Sequence, residues 1–138
     1  MVVTGALNVA LELLKLDNNV EIIQLGGVLR KSSTSVTGNY AKNALSDFFC
    51  SKLFLGVDGI DLEFGLTTTN SMEAQLNREM IKVSQKTIVL ADSTKFGRRG
   101  FGRICGFEDI DQIITDSGIS DSTIKALEGL GVKVTIAE

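Results

Sequence analysis

Apolar and polar residues along this chain recur with two spacings, one typical of helices and one typical of buried strands. Apolar residues at intervals of three and four predict helices over residues 7–14, 41–48, 72–83 and 124–130. Short apolar runs predict strands over residues 20–25, 52–57, 87–91, 112–116 and 132–136. Strands that alternate with helices predict an α/β fold with an open, mostly parallel sheet and helices on both faces.

The connections between these elements carry further predictions. Asn70 precedes the third helix and Glu73 follows three residues later, so the pair is expected to form a capping box. Residues 30–37 are polar and are expected to form a loop. The chain opens on Val2-Val3-Thr4 and reaches its first helix almost at once, so no strand is expected before that helix. An α/β binding domain normally begins with a strand and a phosphate loop, and this opening therefore indicates a fragment.

Two of the predicted strands lead into the same kind of loop. Residues 52–57 lead into Asp58-Gly59-Ile60-Asp61, and residues 87–91 lead into a loop of Asp, Ser, Thr, Lys and Gly at 92–97. The carboxyl ends of parallel strands face the crevice in which ligands bind, so the two loops favour a small-molecule site. Carboxylates suit sugar hydroxyls, while a lysine and exposed glycine amides suit an anion such as phosphate. Two ordinary strand-to-turn connections would have the same composition.

Composition and charge restrict the chemistry of such a site. The 138 residues suit a single domain, and a net charge of -3 argues against nucleic-acid binding by this chain itself. Because His is absent, carboxylates and lysines are the acid–base groups that remain, and no metal ion or cofactor is expected. No apolar run approaches the ~20 residues of a membrane span, and no signal peptide is evident. A cytoplasmic protein with free thiols at Cys50 and Cys105 is therefore expected.

Lys95 is the first candidate for ligand binding. It follows a strand end by a few positions, where its ammonium group can pair with a phosphate as a point charge. The alternative is a solvated loop lysine. Asp92, at the start of the same loop, belongs to the candidate set but is expected to orient Lys95 or its own loop more than to touch a ligand.

The loop after residue 57 and a glycine turn supply further candidates. Asp58 and Asp61 flank Gly59, where the backbone can approach a ligand closely and carboxylates can accept bonds from sugar hydroxyls. Either carboxylate could instead cap a turn, and that alternative is stronger for Asp61. Arg30 lies just past a Gly-Gly turn and is a candidate for a bidentate phosphate contact, with a surface salt bridge as its alternative.

The residues before and at the start of the third helix complete the candidate set. The hydroxyls of Thr67 and Thr68, together with Asn70 and the amides of the helix N-terminus, suit an anion. Glu73 has a stronger claim as the capping-box partner than as a group that contacts a ligand.

Six motifs in a fixed order carry a resemblance to a known family. They are Val3-Thr4-Gly5-Ala6-Leu7-Asn8, Leu25-Gly26-Gly27-Val28-Leu29-Arg30, Phe54-Leu55-Gly56-Val57-Asp58-Gly59-Ile60-Asp61, Gly65-Leu66-Thr67, Ala91-Asp92-Ser93-Thr94-Lys95-Phe96-Gly97 and Ile114-Thr115-Asp116. Through them essentially the whole chain resembles the C-terminal effector-binding domain of DeoR/GlpR-type bacterial transcriptional repressors. Within that family, it most resembles repressors of N-acetylgalactosamine and related amino-sugar operons.

The resemblance implies a function and an incomplete protein. In such repressors a sugar phosphate bound to this domain alters operator DNA binding by an N-terminal winged helix-turn-helix, and members commonly assemble as homo-oligomers. Residues 1–138 are accordingly expected to be the sensor domain alone, without the winged helix-turn-helix and without the family's opening strand and its Asp-Gly-x-Thr phosphate loop. Operator DNA is expected to bind through the absent domain, not through this chain.

The same domain is similar in fold to ribose-5-phosphate isomerase and CoA transferase, which makes a sugar-phosphate isomerase the alternative function. The isomerase pattern keeps aspartates at Asp58 and Asp92 and a lysine at Lys95. Its first loop aspartate falls on Leu55, its loop lysine on Thr68 and its catalytic glutamate on Asn77. Because an asparagine cannot act as the general base, the resemblance favours a non-enzymatic sugar-phosphate sensor. A dimerisation module that has lost its ligand is a third interpretation.

Overall fold

A computed structural model describes residues 1–17 and 19–138, and these form two compact units, residues 1–48 and 49–138. The first unit contains β1 (Val2–Thr4), α1 (Leu7–Leu14), β2 (Ile22–Gln24), β3 (Val28–Arg30), β4 (Ser35–Thr37) and α2 (Asn39–Leu45). The second unit contains β5 (Cys50–Gly56), β6 (Gly59–Asp61), β7 (Gly65–Thr68), α3 (Ser71–Lys82), β8 (Ser84–Leu90), β9 (Gly102–Cys105), β10 (Gln112–Thr115), α4 (Asp121–Gly129) and β11 (Lys133–Ile136).

The first unit corrects two expectations. β1 pairs in parallel with β2, so the prediction that no strand precedes the first helix is wrong. The hydroxyl of Thr4 accepts a hydrogen bond from Ala6 N at 3.0 Å, which turns the chain from β1 towards α1. The predicted loop at residues 30–37 is instead part of an antiparallel hairpin over residues 28–37, because β3 and β4 satisfy one another's backbone hydrogen bonds and only the turn between them is irregular.

The second unit confirms the predicted parallel sheet. Its strand order is β11-β10-β8-β5, and every neighbouring pair is parallel. Leu55, Val89 and Ile113 lie side by side in register and are buried on one face. They share a core with Ala74 of α3 and Leu127 of α4, so the sheet has helices packed beside it as an α/β fold requires.

A second, antiparallel sheet of order β6-β7-β9 was not predicted. Ile60, Leu66 and Ile104 point from its three strands into the core and are almost completely buried. The expectation that residues 58–61 form a loop is therefore wrong beyond Asp58. The candidate residues that lie on these strands instead of on loops are Gly59, Asp61, Thr67 and Thr68.

The start of α3 confirms Asn70 as the helix cap, which is one half of the predicted capping box. Asn70 Oδ1 accepts hydrogen bonds from Met72 N at 2.8 Å and from Glu73 N at 3.1 Å. These bonds satisfy amides that have no partner within the helix, so Asn70 fixes where α3 begins. None of the helices in the described part of the chain is long and apolar enough to cross a membrane.

Candidate functional site

The loops after β5 and β8 leave the carboxyl edge of the parallel sheet together. The two strands pair as far as Gly56 and Leu90. Asp58 and Asp92 each lie two residues beyond this last pair, at equivalent positions on neighbouring strands. Because neighbouring strands are about 4.8 Å apart, the two loops begin side by side.

Beyond this point the second loop is joined by a hydrogen bond to β6, the strand that follows Asp58. The second loop makes a 3₁₀ turn at Ser93–Lys95, after which Phe96 forms a parallel bridge with Ile60 and Gly97 N donates to Ile60 O at 2.8 Å. Lys95 immediately precedes this junction and is partly buried. Among the residues that the structure describes, no carboxylate pairs with its ammonium group.

Asp58 lies in a small polar cluster at the first loop. Its Oδ2 accepts a hydrogen bond from Thr68 Oγ1 at 2.7 Å and one from Thr69 N at 3.3 Å. The Thr68 hydroxyl also lies 3.2 Å from Glu73 Oε2. A hydroxyl carries a single proton, so Thr68 donates to one of the two carboxylates at a time. Such carboxylates can accept a further hydrogen bond from a ligand hydroxyl.

Thr67 and Gly59 both contact the backbone segment that follows Lys95. The Thr67 side chain is completely buried, and its Oγ1 accepts a hydrogen bond from Gly100 N at 2.7 Å. A Cβ atom on Gly59 would lie 2.5 Å from Arg98 O. Residues 97–101, which we call the strap, therefore cross directly over the paired Gly59 and Thr67. These two residues hold the strap that follows Lys95, and the buried Thr67 hydroxyl is already occupied.

Asp61 is engaged by its own turn and by the strap. Its Oδ1 accepts from Glu63 N at 2.9 Å and Phe64 N at 2.8 Å, and its Oδ2 lies 3.0 Å from Arg99 Nε. The hydrogen bond from Arg99, followed by that from the Phe64 amide, lowers the pKa of the Asp61 carboxyl to about 2. Asp61 is thus a turn cap and ion-pair partner of Arg99.

This ion pair predicts a pH dependence of stability. The unfolded-state pKa of an aspartate is about 3.9, so the stability contributed by Asp61 is present above about pH 4 and is lost as the pH falls through about 2. Asp61→Asn removes this titration, and the free energy of unfolding of the variant is expected to fall less steeply than that of the wild type between about pH 4 and 2. Urea unfolding across that range measures the difference, and parallel profiles for the two proteins would contradict it.

The end of β10 adds an aspartate that the candidate set omitted. Asp116 Oδ2 accepts from Ser93 N at 2.9 Å and its Oδ1 accepts from Gly118 N at 2.8 Å, and the bonds from Ser93 lower its pKa. Asp116 thereby ties the third strand end to the 3₁₀ turn that carries Lys95. The signal in the sequence was available, because an aspartate directly after an apolar strand is the pattern that singled out the other two loops.

Asp92 organises its own loop, as expected. Its Oδ1 accepts hydrogen bonds from Thr94 Oγ1 and, at 2.8 Å, from Thr94 N. These two bonds, with a smaller contribution from the charge of Lys95, lower the pKa of Asp92. Asp92 remains ionised and caps the turn that presents Lys95.

Arg30 and Asn70 are the remaining candidate residues. Arg30 lies in the first unit, where its guanidinium is 3.4 Å from Ser32 Oγ, and its part in a phosphate site stays a prediction. Asn70 uses its side-chain oxygen to cap α3. Within residues 1–17 and 19–138, no three His, Cys, Asp or Glu side chains come together as metal ligands, and Cys50 and Cys105 are free thiols.

Comparison with known proteins decides the family. The sequence model of the DeoR C-terminal sensor domain matches residues 1–117. The chain belongs to this family. The match confirms the resemblance drawn from the six motifs, and it includes the loops after β5 and β8.

Full-length regulators are among the relatives of this DeoR domain. The chain is 42% identical over 133 residues to a putative aga operon transcriptional repressor of Escherichia coli O157:H7, with 96% of the chain and 49% of the relative covered. It is 38% identical over 134 residues to the uncharacterized HTH-type regulator YulB of Bacillus subtilis (97% and 52%) and 35% identical over 132 residues to the HTH-type regulator GlpR of Haloferax volcanii (96% and 51%). The chain therefore spans about half the length of these relatives.

Proposed function

We propose that this DeoR sensor domain binds a phosphorylated sugar at the carboxyl edge of its parallel sheet. The observation that carries the proposal is Lys95, a partly buried residue whose ammonium group forms no salt bridge with any described carboxylate. A cation in such a position is stabilised by an anionic ligand. A phosphate both accepts hydrogen bonds from an ammonium group and neutralises its charge. The capped 3₁₀ turn and the Gly97–Ile60 hydrogen bond hold Lys95 in place for this contact.

Asp58 and Thr68 are the groups we assign to the sugar. Both internal hydrogen bonds of the Asp58 carboxylate go to Oδ2, so Oδ1 is available to accept from a sugar hydroxyl. The Thr68 hydroxyl, shared between Asp58 and Glu73, can reorient when such a bond forms. An anion-binding lysine on one loop and acceptor oxygens on its neighbour match the two ends of a sugar phosphate.

The rest of the proposal concerns the whole protein. The relatives are named as transcriptional regulators or repressors, two of the three as HTH-type, and they are about twice as long as this chain. We infer that the sensor domain works with a DNA-binding segment outside these residues, in a cytoplasmic homo-oligomer that controls a carbohydrate-utilisation operon and is not an enzyme. The sugar phosphate then changes the affinity of the protein for operator DNA.

A thermal-shift screen tests the ligand directly. The full-length protein is heated with a panel of hexose, pentose and amino-sugar phosphates, each beside its unphosphorylated sugar. A ligand that binds only the folded protein raises Tm in proportion to the logarithm of its concentration over Kd. At least one sugar phosphate is expected to raise Tm where its parent sugar does not.

The isomerase alternative is not favoured, and a single substitution tests it. Asn77 lies on α3 where the isomerase pattern has its catalytic glutamate, while Leu55, at the position of an aspartate, is buried in the core. Because catalytic groups that act as a unit fail together, Asn77→Glu alone is expected to produce no isomerase activity. A coupled isomerase assay on wild type and variant measures this, and turnover by either protein would contradict it.

A further inference from the structure

The strap runs from the loop after β8 to the start of β9 without regular secondary structure. Four of its five residues are exposed, and the fifth, Gly100, is half-buried. Gly97, where the strap begins, has a φ of 80°, a conformation that favours glycine. A segment with an exposed backbone and little buried apolar surface has low local stability. The strap is therefore expected to open while the strands beneath it stay folded.

The contacts that hold the strap closed are hydrogen bonds and a surface ion pair. At its start, Gly97 N donates to Ile60 O at 2.8 Å. Near its end, Gly100 N donates to Thr67 Oγ1 at 2.7 Å. Arg99 adds ion pairs with carboxylates on β6 and the turn that follows, but exposed ion pairs contribute little. Opening breaks these contacts and restores backbone freedom to the whole strap, so the two effects oppose one another.

Both halves of the proposed sugar-phosphate site depend on the closed strap. Lys95 lies two residues before Gly97, so the bond that anchors the strap also fixes the end of the turn that carries Lys95. At the other end, a Cβ atom on Gly100 would lie 2.6 Å from Thr68 O, so the strap backbone rests directly on Thr68. The Thr68 hydroxyl in turn donates to Asp58 at 2.7 Å. Opening therefore releases Lys95 and removes the support of the Thr68–Asp58 pair at the same time.

We propose that the strap opens and closes as a local unit, and that the sugar phosphate binds only when the strap is closed. The inference rests on the proposed function and adds a means of regulating the same site. A ligand that binds one of two forms shifts the population towards that form. The bound sugar phosphate therefore holds the strap closed, and the exchange of the strap amides reports whether the site is occupied.

Hydrogen exchange of the full-length protein, resolved to single amides by mass spectrometry, tests this coupling. The probe is the hexose, pentose or amino-sugar phosphate that raises Tm most in the thermal-shift screen. At about 100 times its calorimetric Kd, the exchange of Gly97 and Gly100 is expected to slow about a hundredfold, because both amides exchange only from the open form. The parent sugar at the same concentration is the control and is expected to have little effect.

The free protein tests the opening itself. The amides of Gly97 and Gly100 are expected to exchange at least about tenfold faster than those of β5 and β8, because the strap opens without the sheet. Thr67→Val removes the acceptor of Gly100 N and is expected to speed Gly100 exchange about ten- to hundredfold. Thr67→Ser keeps the hydroxyl and is expected to stay close to wild type. The amides of β5 and β8 report any change in global stability.

Each part of the proposal has a result that would overturn it. Strap amides that exchange as slowly as those of β5 and β8, or equal Gly100 exchange in Thr67→Val and Thr67→Ser, would overturn the local opening. A sugar phosphate that raises Tm but leaves strap exchange unchanged would overturn the coupling and leave the proposed function in place. If no sugar phosphate raises Tm, the proposed function fails and the coupling fails with it.

Discussion

Gly59→Ala is expected to lower the free energy of unfolding by about 2–3 kcal/mol, the upper part of the range for overpacking a well-packed site. The added Cβ atom would lie 2.5 Å from both Arg98 O and Thr67 Oγ1. Neither atom yields easily, because one belongs to the backbone of the strap and the other to a completely buried side chain. Urea unfolding followed by circular dichroism measures the loss.

The clash at Gly59 also predicts a functional effect. To relieve it the strap must move away from β6 and β7, and the segment that holds Lys95 moves with it. Sugar-phosphate binding is therefore expected to weaken in any Gly59→Ala protein that remains folded. Gly129→Ala, at the end of α4 with no atom near its added methyl group, is the control and is expected to be neutral or slightly stabilising, by about 0.5 kcal/mol. Equal effects of the two substitutions would contradict the packing of the strap.

Lys95→Ala is expected to weaken sugar-phosphate binding about ten- to hundredfold while leaving Tm in the absence of ligand nearly unchanged. A charged hydrogen bond contributes about 1.5–3 kcal/mol, which converts to that range of Kd. The cost to folding is small because no described carboxylate loses a partner when the ammonium group is removed. Calorimetric titration of the responsive sugar phosphate into wild type and variant measures the change in Kd.

Lys125→Ala is the matched control for this experiment. Lys125 is an exposed lysine on α4, so its loss changes the net charge of the protein by the same amount without touching the proposed site. It is expected to leave Kd unchanged. If Lys95→Ala and Lys125→Ala bind with the wild-type Kd, Lys95 does not contact the ligand.

The longer elements of the fold could be predicted from the sequence because their patterns are strong. The runs at 52–57 and 87–91 are apolar over most of their length and became β5 and β8. Val2–Thr4 and β6, each three residues long, are too short to show a periodicity. β1 depends on a partner about 20 residues along the chain, and β6 pairs with β7 in a tight hairpin whose turn residues do not show a strand pattern.

The candidate site, like the fold, could be predicted from the sequence only in part. In the sequence, Asp58, Asp92 and Lys95 each lie just past a predicted strand. Because the strands are parallel, these residues are expected at the same edge of the sheet. Whether a polar side chain is already hydrogen-bonded within the protein depends on residues far along the chain. Gly100 is 33 residues from Thr67, whose hydroxyl it occupies, and only the folded structure brings the two together.

The most direct test of the central claim compares one sugar with and without its phosphate. The sugar phosphate with the largest thermal shift is titrated calorimetrically into the full-length protein, and the unphosphorylated sugar is titrated under the same conditions. The account predicts a defined binding isotherm for the phosphorylated sugar and an affinity at least about tenfold weaker for the free sugar, because Lys95 then has no anion to pair with. Equal affinities, or no binding by any sugar phosphate, would contradict it.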